Sequence, residues 1–104
     1  MTIALHPKTQ LLRTMLEEQL GAHTNQLAEL TADSRSGPDG YDPDTLNALI
    51  ASARQGIADT AHALRRMAEG TYGICEQCRA SIPIGRLKAL PHTRFCVPCQ
   101  QQQR

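Results

Sequence analysis

Residues 75–78 read CEQC and residues 96–99 read CVPC, with seventeen residues between the two pairs of cysteines. Each Cys-x-x-Cys pair can form a tight turn around a metal ion, and two such turns complete the tetrahedral four-thiolate site that zinc prefers. Because the protein supplies all four ligands, no position remains for water or substrate, and we expect the metal to stabilise the fold rather than to catalyse a reaction. The spacing predicts one structural Zn2+ ion bound by Cys75, Cys78, Cys96 and Cys99.

Two other uses of these cysteines agree less well with the sequence. A redox Cys-x-x-Cys pair requires a thioredoxin-like βαβ unit, and no such pattern surrounds Cys75 or Cys96. Disulfides are typical of secreted chains, but the first thirty residues contain no signal segment and no long apolar span follows. We therefore expect a cytoplasmic protein that does not enter a membrane. His92 lies between the pairs, but four cysteines already complete the ligand shell.

The charges divide the chain into an acidic half and a basic half. Residues 1–61 contain four Lys or Arg and eight Asp or Glu, a net charge of −4, whereas residues 62–104 contain seven and two, a net charge of +5.

The 104 residues include no Trp, one Phe and two Tyr, too few aromatic side chains for a conventional core. Zinc and packed helices must therefore supply much of the stability.

Two apolar patterns of helical period occupy the chain before the cysteines. The first predicts a helix over residues 7–31, with Pro7 in its first turn and Gly21 as an interruption. Its apolar stripe consists of Leu12, Met15, Leu16, Leu20, His23, Leu27 and Leu30. The second pattern advances alternately by four and three residues over three heptads, and Gly70 ends it. Its members are Leu46, Ile50, Ala53, Ile57, Thr60, Leu64 and Met67.

Residues 32–45 read ADSRSGPDGYDPDT, and their two Gly, two Pro, two Ser and four Asp cannot continue either helix. Asp42 or Asp44 is placed to cap the second helix, and Pro43 suits its first turn. We predict an antiparallel coiled-coil hairpin over residues 7–70, with its acidic tip at about residues 32–45. The same heptads could pack between chains as a dimer or bundle, but the turn favours a hairpin within a monomer.

The other segments complete the predicted organisation. Residues 1–6 are expected to be flexible, residues 71–99 to form the four-cysteine zinc finger, and residues 100–104 to form a polar tail or a frayed helical extension. A short helical turn is predicted at residues 86–90, before Pro91. Five apolar side chains are expected to pack around the metal and the hairpin base: Ile82, Ile84, Leu87, Leu90 and Phe95. The predicted fold class is mainly α, a helical hairpin followed by a four-cysteine finger with a short C-terminal helix.

Four runs of sequence carry a family resemblance: GTYGICEQC at residues 70–78, IP at 82–83, RLKALP at 86–91 and FCVPCQ at 95–100. Together with the order of hairpin, acidic turn and finger, they resemble the DksA/TraR family of bacterial transcription regulators. The resemblance implies binding to RNA polymerase rather than to DNA, with the coiled coil in the secondary channel and the finger on the channel rim. It implies a regulator of initiation and not an enzyme, and the sequence shows no nucleophile, base and oxyanion arrangement.

The tip follows the family pattern in part. The family has Asp-x-x-Asp-x-Ala, and here Asp39 and Asp42 have the first spacing while Asp44 stands in the place of Ala. The resemblance implies that these three aspartates approach the active-site magnesium region. They lie closer to the first cysteine than in long-armed members, which implies a shorter arm. The basic residues that would dock on the polymerase are Arg65, Arg66, Arg86, Lys88 and Arg94.

Three positions depart from the family in the finger and on the arm. Members that respond to the nucleotide ppGpp use basic residues on the second coil helix and just past the last cysteine, where this chain has Asp59 and Gln100. We therefore expect weak or absent ppGpp dependence. Arg79 follows Cys78 where the family usually has Gly, so a left-handed turn there would carry more backbone strain in this chain.

Two functions of other classes stay open on the sequence. The basic finger would also suit a zinc ribbon that binds nucleic acid, whose affinity would fall steeply with salt. The sequence pI of about 7.7, the scarcity of aromatic residues and the acidic end of the hairpin argue against it. A coiled-coil assembly module, with zinc only as a stabiliser, would require a stable dimer or a larger species.

Overall fold

The structure of this chain is a computed structural model that describes residues 7–32 and 41–102. Its four helices, in chain order, are α1 (Pro7–Ala32), α2 (Pro43–Glu69), α3 (Ile84–Ala89) and α4 (Val97–Gln102). Within these described ranges, the one extended pairing is an isolated antiparallel bridge between Ile74 and Ser81. The mainly helical fold class predicted from the sequence is confirmed.

Helices α1 and α2 pack against each other as a hairpin, which we call the arm. With 26 and 27 residues at about 1.5 Å per residue, each is about 40 Å long. Every member of the two predicted apolar stripes is buried or half-buried. Thr60 is the fully buried polar residue of this interface among the described residues, and its hydroxyl donates a 2.7 Å hydrogen bond to the carbonyl of Gly56 one turn earlier. The apolar periodicity therefore identified the packed faces of both helices.

Helix α2 begins after its N-cap Asp42 and ends at Gly70. Gly70 adopts the left-handed conformation with φ 81°, which glycine reaches without steric cost. The N–H groups of Gly70 and Thr71 donate to the carbonyls of Met67 and Arg66 at 3.2 and 2.9 Å. This pair of hydrogen bonds is the Schellman arrangement, and it turns the chain from the arm into the finger.

The base of the arm and the finger share one hydrophobic core. Leu12 of α1 is buried together with Cys75, Ile82, Leu87 and Cys99. Half-buried side chains pack against this cluster: Met15, Met67, Tyr72, Phe95 and Cys96. The finger is therefore attached to both helices of the arm by apolar contacts and not only through the chain at Gly70.

The packing predicted for Ile84 and Leu90 is wrong. These side chains are 38% and 41% exposed, whereas Ile82 and Leu87 are buried and Phe95 is half-buried as predicted. Helix α3 has only six residues and begins at Ile84, two positions before the predicted turn. Leu87 in its middle is buried in the core, while Ile84 at its first position and Leu90, the residue just beyond its end, stay outside.

Helix α4 includes Cys99 and continues to Gln102. Most of the predicted polar tail is therefore a helical extension, whose residues 100–102 are exposed. Among the described residues, no helix combines the length and the apolar character that a membrane span requires.

Candidate metal centre and its attachment to the arm

The four predicted ligands converge on one point between the finger's two loops. The Sγ atoms of Cys75, Cys78, Cys96 and Cys99 all lie within 4.8 Å of one another. Those of Cys78 and Cys96 are 3.7 Å apart, close to the roughly 3.8 Å edge of a tetrahedron with 2.3 Å zinc–sulfur bonds. A disulfide would bring two sulfurs to about 2 Å, and all four cysteines are free thiols. The geometry and the donor set fit one structural zinc ion.

The first loop is a tight turn that directs two sulfurs toward the same point. The N–H of Arg79 donates to the carbonyl of Cys75 at 3.0 Å, and the N–H of Cys75 donates to the carbonyl of Ala80 at 2.8 Å. The N–H of Cys78 points at the Cys75 sulfur, 3.5 Å away. Arg79 closes this turn with φ 66°, the left-handed conformation that the sequence suggested would be uncomfortable for an arginine.

The second loop leads directly into α4. The N–H of Gln100 donates to the carbonyl of Cys96 at 2.8 Å, so the helical turn itself brings Cys99 beside Cys96. Cys75 and Cys99 are buried, Cys96 is half-buried and Cys78 is exposed. The metal site therefore lies at the surface of the shared core, with one ligand of each pair buried in it.

The thiols favour a cation through their mutual electrostatics. Burial raises the pKa of Cys75, but backbone N–H groups, among them those of Cys78 and Cys96, outweigh burial and bring this pKa down to about 6. Hydrogen bonding with Cys96, followed by burial, raises the pKa of Cys99 to about 12. The site thus favours ionisation of the first thiol and opposes ionisation of the last. All four thiols can therefore be ionised together only with a bound cation.

A charged cluster ties the first metal loop to α2. Glu76, between two ligands, accepts contacts through one carboxylate oxygen from His62 Nε2 at 2.5 Å and from an Arg66 nitrogen at 2.6 Å. Arg66 also donates to the carbonyls of Thr71 and Ile74 at 2.8 and 3.0 Å. Burial raises the pKa of Glu76, but hydrogen bonds and charge from His62 and Arg66 outweigh burial and lower it. We call these three side chains, His62, Arg66 and Glu76, the attachment cluster.

Other contacts join the finger to the arm on a second side. The Arg94 guanidinium lies 3.9 Å from the Asp59 carboxylate, which also accepts a 2.9 Å hydrogen bond from Gln55. The Arg94 carbonyl accepts a 2.9 Å hydrogen bond from the N–H of Glu76, so the segment before the second cysteine pair touches the first loop. A cleft of about 380 Å3 separates α2 from the finger here, with Asp59 and Gln100 in its lining.

A further hydrogen bond lies within the finger. The Tyr72 hydroxyl donates to the carbonyl of Pro91 at 2.8 Å. Burial raises the pKa of Tyr72 to about 12. This contact holds the segment before the first cysteine against the buried proline that follows α3.

The predicted docking residues differ in how the structure uses them. Arg65 and Lys88 have exposed side chains. Arg66 belongs to the attachment cluster, Arg94 faces Asp59, and Arg86 Nε donates to the carbonyl of Phe95 at 3.2 Å. The predicted cluster of basic residues is therefore divided between the surface and contacts that hold the finger together.

At the tip, two of the three predicted aspartates lie among the described residues. Asp42 is the N-cap of α2, and its carboxylate accepts a 2.8 Å hydrogen bond from the N–H of Thr45. Asp44 is exposed in the first turn of the same helix. Asp39 lies outside the described residues. The described part of the tip is at the opposite end of α2 from the metal site.

Sequence reasoning missed the attachment cluster and the Tyr72–Pro91 hydrogen bond. Glu76 sits inside a Cys-x-x-Cys pair, where the variable positions carry no metal ligand, so the pattern draws attention away from it. His62 is half-buried beside Glu76, and no motif in the sequence singles it out. His92 is half-buried and is not part of the group of four cysteines.

Comparison with known proteins agrees with this architecture. The family described as prokaryotic dksA/traR C4-type zinc finger matches residues 70–103. An uncharacterized protein from Aquifex aeolicus (strain VF5) is 33% identical over 103 residues, which cover 94% of this chain and 69% of that protein. This chain belongs to the DksA/TraR family. The four cysteines are accordingly the ligands of the family's single structural zinc ion.

Other relatives of this DksA/TraR protein share the finger or the fold. General stress protein 16O from Bacillus subtilis (strain 168) is 40% identical over 47 residues, 45% of this chain and 29% of that protein. The solved structure of transcription factor DksA2 from Pseudomonas aeruginosa superposes with a TM-score of 0.79 at 19% identity, covering 95% of this chain and 85% of that one. At that identity the likeness concerns the fold, and it extends over both the arm and the finger.

Proposed function

We propose that this protein is a bacterial transcription regulator that binds RNA polymerase directly. In this proposal the arm enters the secondary channel, the acidic tip approaches the catalytic centre, and the finger docks on the channel rim. A single observation carries the proposal. The hairpin, about 40 Å long at about 1.5 Å per residue, has acidic residues at one end and a DksA/TraR zinc finger at the other. The protein performs no chemistry of its own.

The charges of the two ends suit this role. Asp39, Asp42 and Asp44 give the tip the negative charge needed to perturb a metal ion or basic groups near a polymerase centre. At the finger end of the molecule, exposed Arg65 of α2 and exposed Lys88 of α3 are the first candidates for docking, followed by Arg86 and Arg94. Arg66 is assigned mainly to holding the finger, because its guanidinium already contacts Glu76 and two carbonyls.

We also propose that ppGpp has little or no effect on polymerase binding. The cleft between α2 and the finger contains Asp59 and Gln100 at the positions where responsive family members carry basic residues. Asp59 already faces Arg94 and accepts a hydrogen bond from Gln55. Arg86 and Arg94 also line this cleft, but the Phe95 carbonyl and Asp59 already engage them, and a phosphate group brought beside the Asp59 carboxylate would be repelled by it. Polymerase affinity that tightened about tenfold with ppGpp, about 1.4 kcal/mol, would contradict this part of the proposal.

The test is binding of the zinc-loaded protein to bacterial core RNA polymerase, with transcription scored in the same samples. The test variant changes Asp39, Asp42 and Asp44 to Asn, which removes three charges while Asn retains N-cap ability. The control variant changes Glu17, Glu18 and Glu69 to Gln, which removes three exposed charges from the arm at positions away from the tip. We expect all three proteins to bind, and only the tip variant to lose its effect on transcription.

Two results would overturn the proposal. Failure of the wild-type protein to bind polymerase, together with DNA binding whose affinity falls steeply with salt, would favour the nucleic-acid-binding zinc ribbon. A stable dimer or larger species without polymerase binding would favour the assembly module. Sedimentation of the purified protein, run beside the binding assay, separates this last case from the other two.

A further inference from the structure

We infer that Arg79 is a partner-binding residue: its guanidinium, at the edge of a groove between the first metal loop and the end of α2, pairs with a carboxylate that a surface segment of RNA polymerase presents. This inference rests on the proposed function and adds a contact to the docking candidates Arg65 and Lys88.

The backbone of Arg79 is strained, although the metal loop does not need an arginine. Its φ of 66° lies in the left-handed region, where a Cβ atom is unfavourable and glycine fits without steric cost. The turn is closed by the N–H of Arg79, which donates to the carbonyl of Cys75 at 3.0 Å. Glycine would make the same hydrogen bond. The metal loop therefore does not explain why this position carries a long cationic side chain.

The side chain of Arg79 is not used inside the part of the chain that the structure describes. It is exposed, and within residues 7–32 and 41–102 its guanidinium makes no hydrogen bond or ion pair. Arg66, by contrast, contacts Glu76 and two carbonyl oxygens. Backbone strain persists where other interactions compensate for it, and it is common at binding sites. Because the described residues supply no such compensation, the free guanidinium points to a contact with another molecule.

The groove that Arg79 lines has room for side chains of a partner. Its volume is about 410 Å3, and its lining includes exposed Thr71 and half-buried Ile74 from the segment that joins α2 to the first metal loop. A guanidinium pairs with a carboxylate through two parallel N–H donors. Thr71 and Ile74 would contact the atoms beside that carboxylate. This combination of one charge with polar and apolar surface suits a protein segment.

The other charges of the groove favour a single carboxylate over a nucleic-acid backbone. Glu69 and Glu76 line the groove together with His62 and Arg66, and both of those basic side chains already contact Glu76. One carboxylate can approach Arg79 alone. A nucleic-acid strand brings a phosphate with every nucleotide, and phosphates next to the paired one would meet the carboxylate of Glu69.

The experiment measures the Kd for bacterial core RNA polymerase and the Tm of the zinc-loaded protein, for the wild type and four variants. Arg79→Lys keeps both the charge and the strained backbone, Arg79→Gln keeps only the strain, and Arg79→Gly removes both. Arg13→Gln is the charge-matched control, because Arg13 is exposed and its guanidinium already pairs with Glu17 of the same helix at 3.4 Å.

We expect Arg79→Gln and Arg79→Gly to weaken polymerase binding about tenfold, as for one lost charge-assisted contact. Arg79→Lys should lose about threefold, because an ammonium keeps the charge but not the two parallel donors. Arg13→Gln should bind within about twofold of the wild type. Arg79→Gly should have a higher Tm than the wild type although it binds less tightly. A merely structural role of Arg79 would instead change stability and affinity in the same direction.

The outcomes separate this inference from the proposed function. Absence of polymerase binding by the wild type would overturn the proposed function and the contact of Arg79 with it. Binding by the wild type that Arg79→Gln and Arg79→Gly match would overturn the inference alone. An equal loss in Arg13→Gln would show an effect of total charge and would also overturn it. DNA binding that Arg79→Gln weakens, with polymerase binding unchanged, would make phosphate the partner of Arg79 and contradict the assignment to a carboxylate.

Discussion

The imidazole of His23 in α1 lies directly against the backbone of Gly56 in α2. A Cβ atom added at Gly56 would stand 2.7 Å from three atoms of the ring, a distance that real Cβ contacts do not reach. Gly56 therefore provides the space that a ring-sized side chain needs at a helix–helix interface otherwise formed by Leu, Ile, Met, Ala and Thr. The two residues are therefore complementary in size: the missing side chain at Gly56 leaves room for the ring of His23.

Replacement of Gly56 by Ala is expected to destabilise the arm despite the higher helix propensity of Ala. Overpacking costs roughly 1–3 kcal/mol, while Ala recovers about 1 kcal/mol of helix propensity. We expect a net loss of about 1 kcal/mol in the free energy of unfolding, measured by urea denaturation of the zinc-loaded protein. In a His23→Ala background the same change is expected to stabilise by up to about 1 kcal/mol. Equal effects in both backgrounds would contradict the packing of His23 on Gly56.

Removal of zinc is expected to unfold the finger and to loosen the base of the arm. Structural zinc sites supply folding free energy of about 10 kcal/mol or more, and two of the four ligands here belong to the shared core. On chelation we expect amide protection to be lost throughout residues 71–102 and at Leu12. Residues toward the tip of the arm should retain helical structure longer. Restoration by added Zn2+ is the control, and unchanged protection of the finger after chelation would contradict the prediction.

Glu76→Gln is expected to weaken the attachment of the finger to α2. Gln cannot serve as a charged partner for Arg66, and leaving that half-buried guanidinium poorly paired costs about 1–2 kcal/mol. Because the pKa of Glu76 is lowered in the folded protein from its ordinary 4.5, its stabilising contribution is complete above pH 4.5. It is lost as the pH falls through the folded-state pKa below that value. Glu69→Gln, at an exposed position at the end of α2, provides the matched control.

The measurement is the difference in unfolding free energy between wild type and Glu76→Gln, in excess zinc, across a pH series. We expect this difference to be constant from neutral pH down to about 5 and to shrink at lower pH. A difference that grows as the pH falls, or that Glu69→Gln reproduces in full, would contradict the role assigned to the carboxylate of Glu76.

Arg79→Gly is expected to stabilise the finger. Arginine at φ 66° carries roughly 1–2 kcal/mol of left-handed strain, whereas glycine has none but loses about 0.5–1 kcal/mol more backbone entropy on folding. The expected net gain is about 0.5–1 kcal/mol, seen as a higher Tm of the zinc-loaded protein. Arg79→Asn should fall between the two, because Asn tolerates this conformation better than most residues. A lower Tm for Arg79→Gly would show that the arginine side chain contributes more than its backbone costs.

The parts of this structure that sequence could predict are those set by spacing along one element. The heptad from Leu46 to Met67 specified which face of α2 is packed, and two Cys-x-x-Cys pairs specified four converging sulfurs. Even a polar member of the heptad, Thr60, is buried where the period places it, because its hydroxyl is satisfied by the carbonyl of Gly56.

The parts that sequence could not predict depend on the angle between elements. The contact of Glu76 with Arg66 requires that the finger turn back on α2 after Gly70, and no periodicity encodes that turn. The exposure of Ile84 and Leu90 likewise depends on how a six-residue helix is set on the core. The hydrophobic character of these two residues predicted burial, but the orientation of α3 on the core leaves both side chains exposed.

The shared core also sets an order of events during synthesis on the ribosome. Leu12 in α1 is synthesised well before Cys99 in α4, yet both side chains belong to one buried cluster. The arm can form its hairpin as soon as α2 has emerged, but its base stays open until the final cysteine binds metal. Until Cys99 has emerged and metal has bound, the apolar base of the arm therefore stays open to recognition by proteases and chaperones.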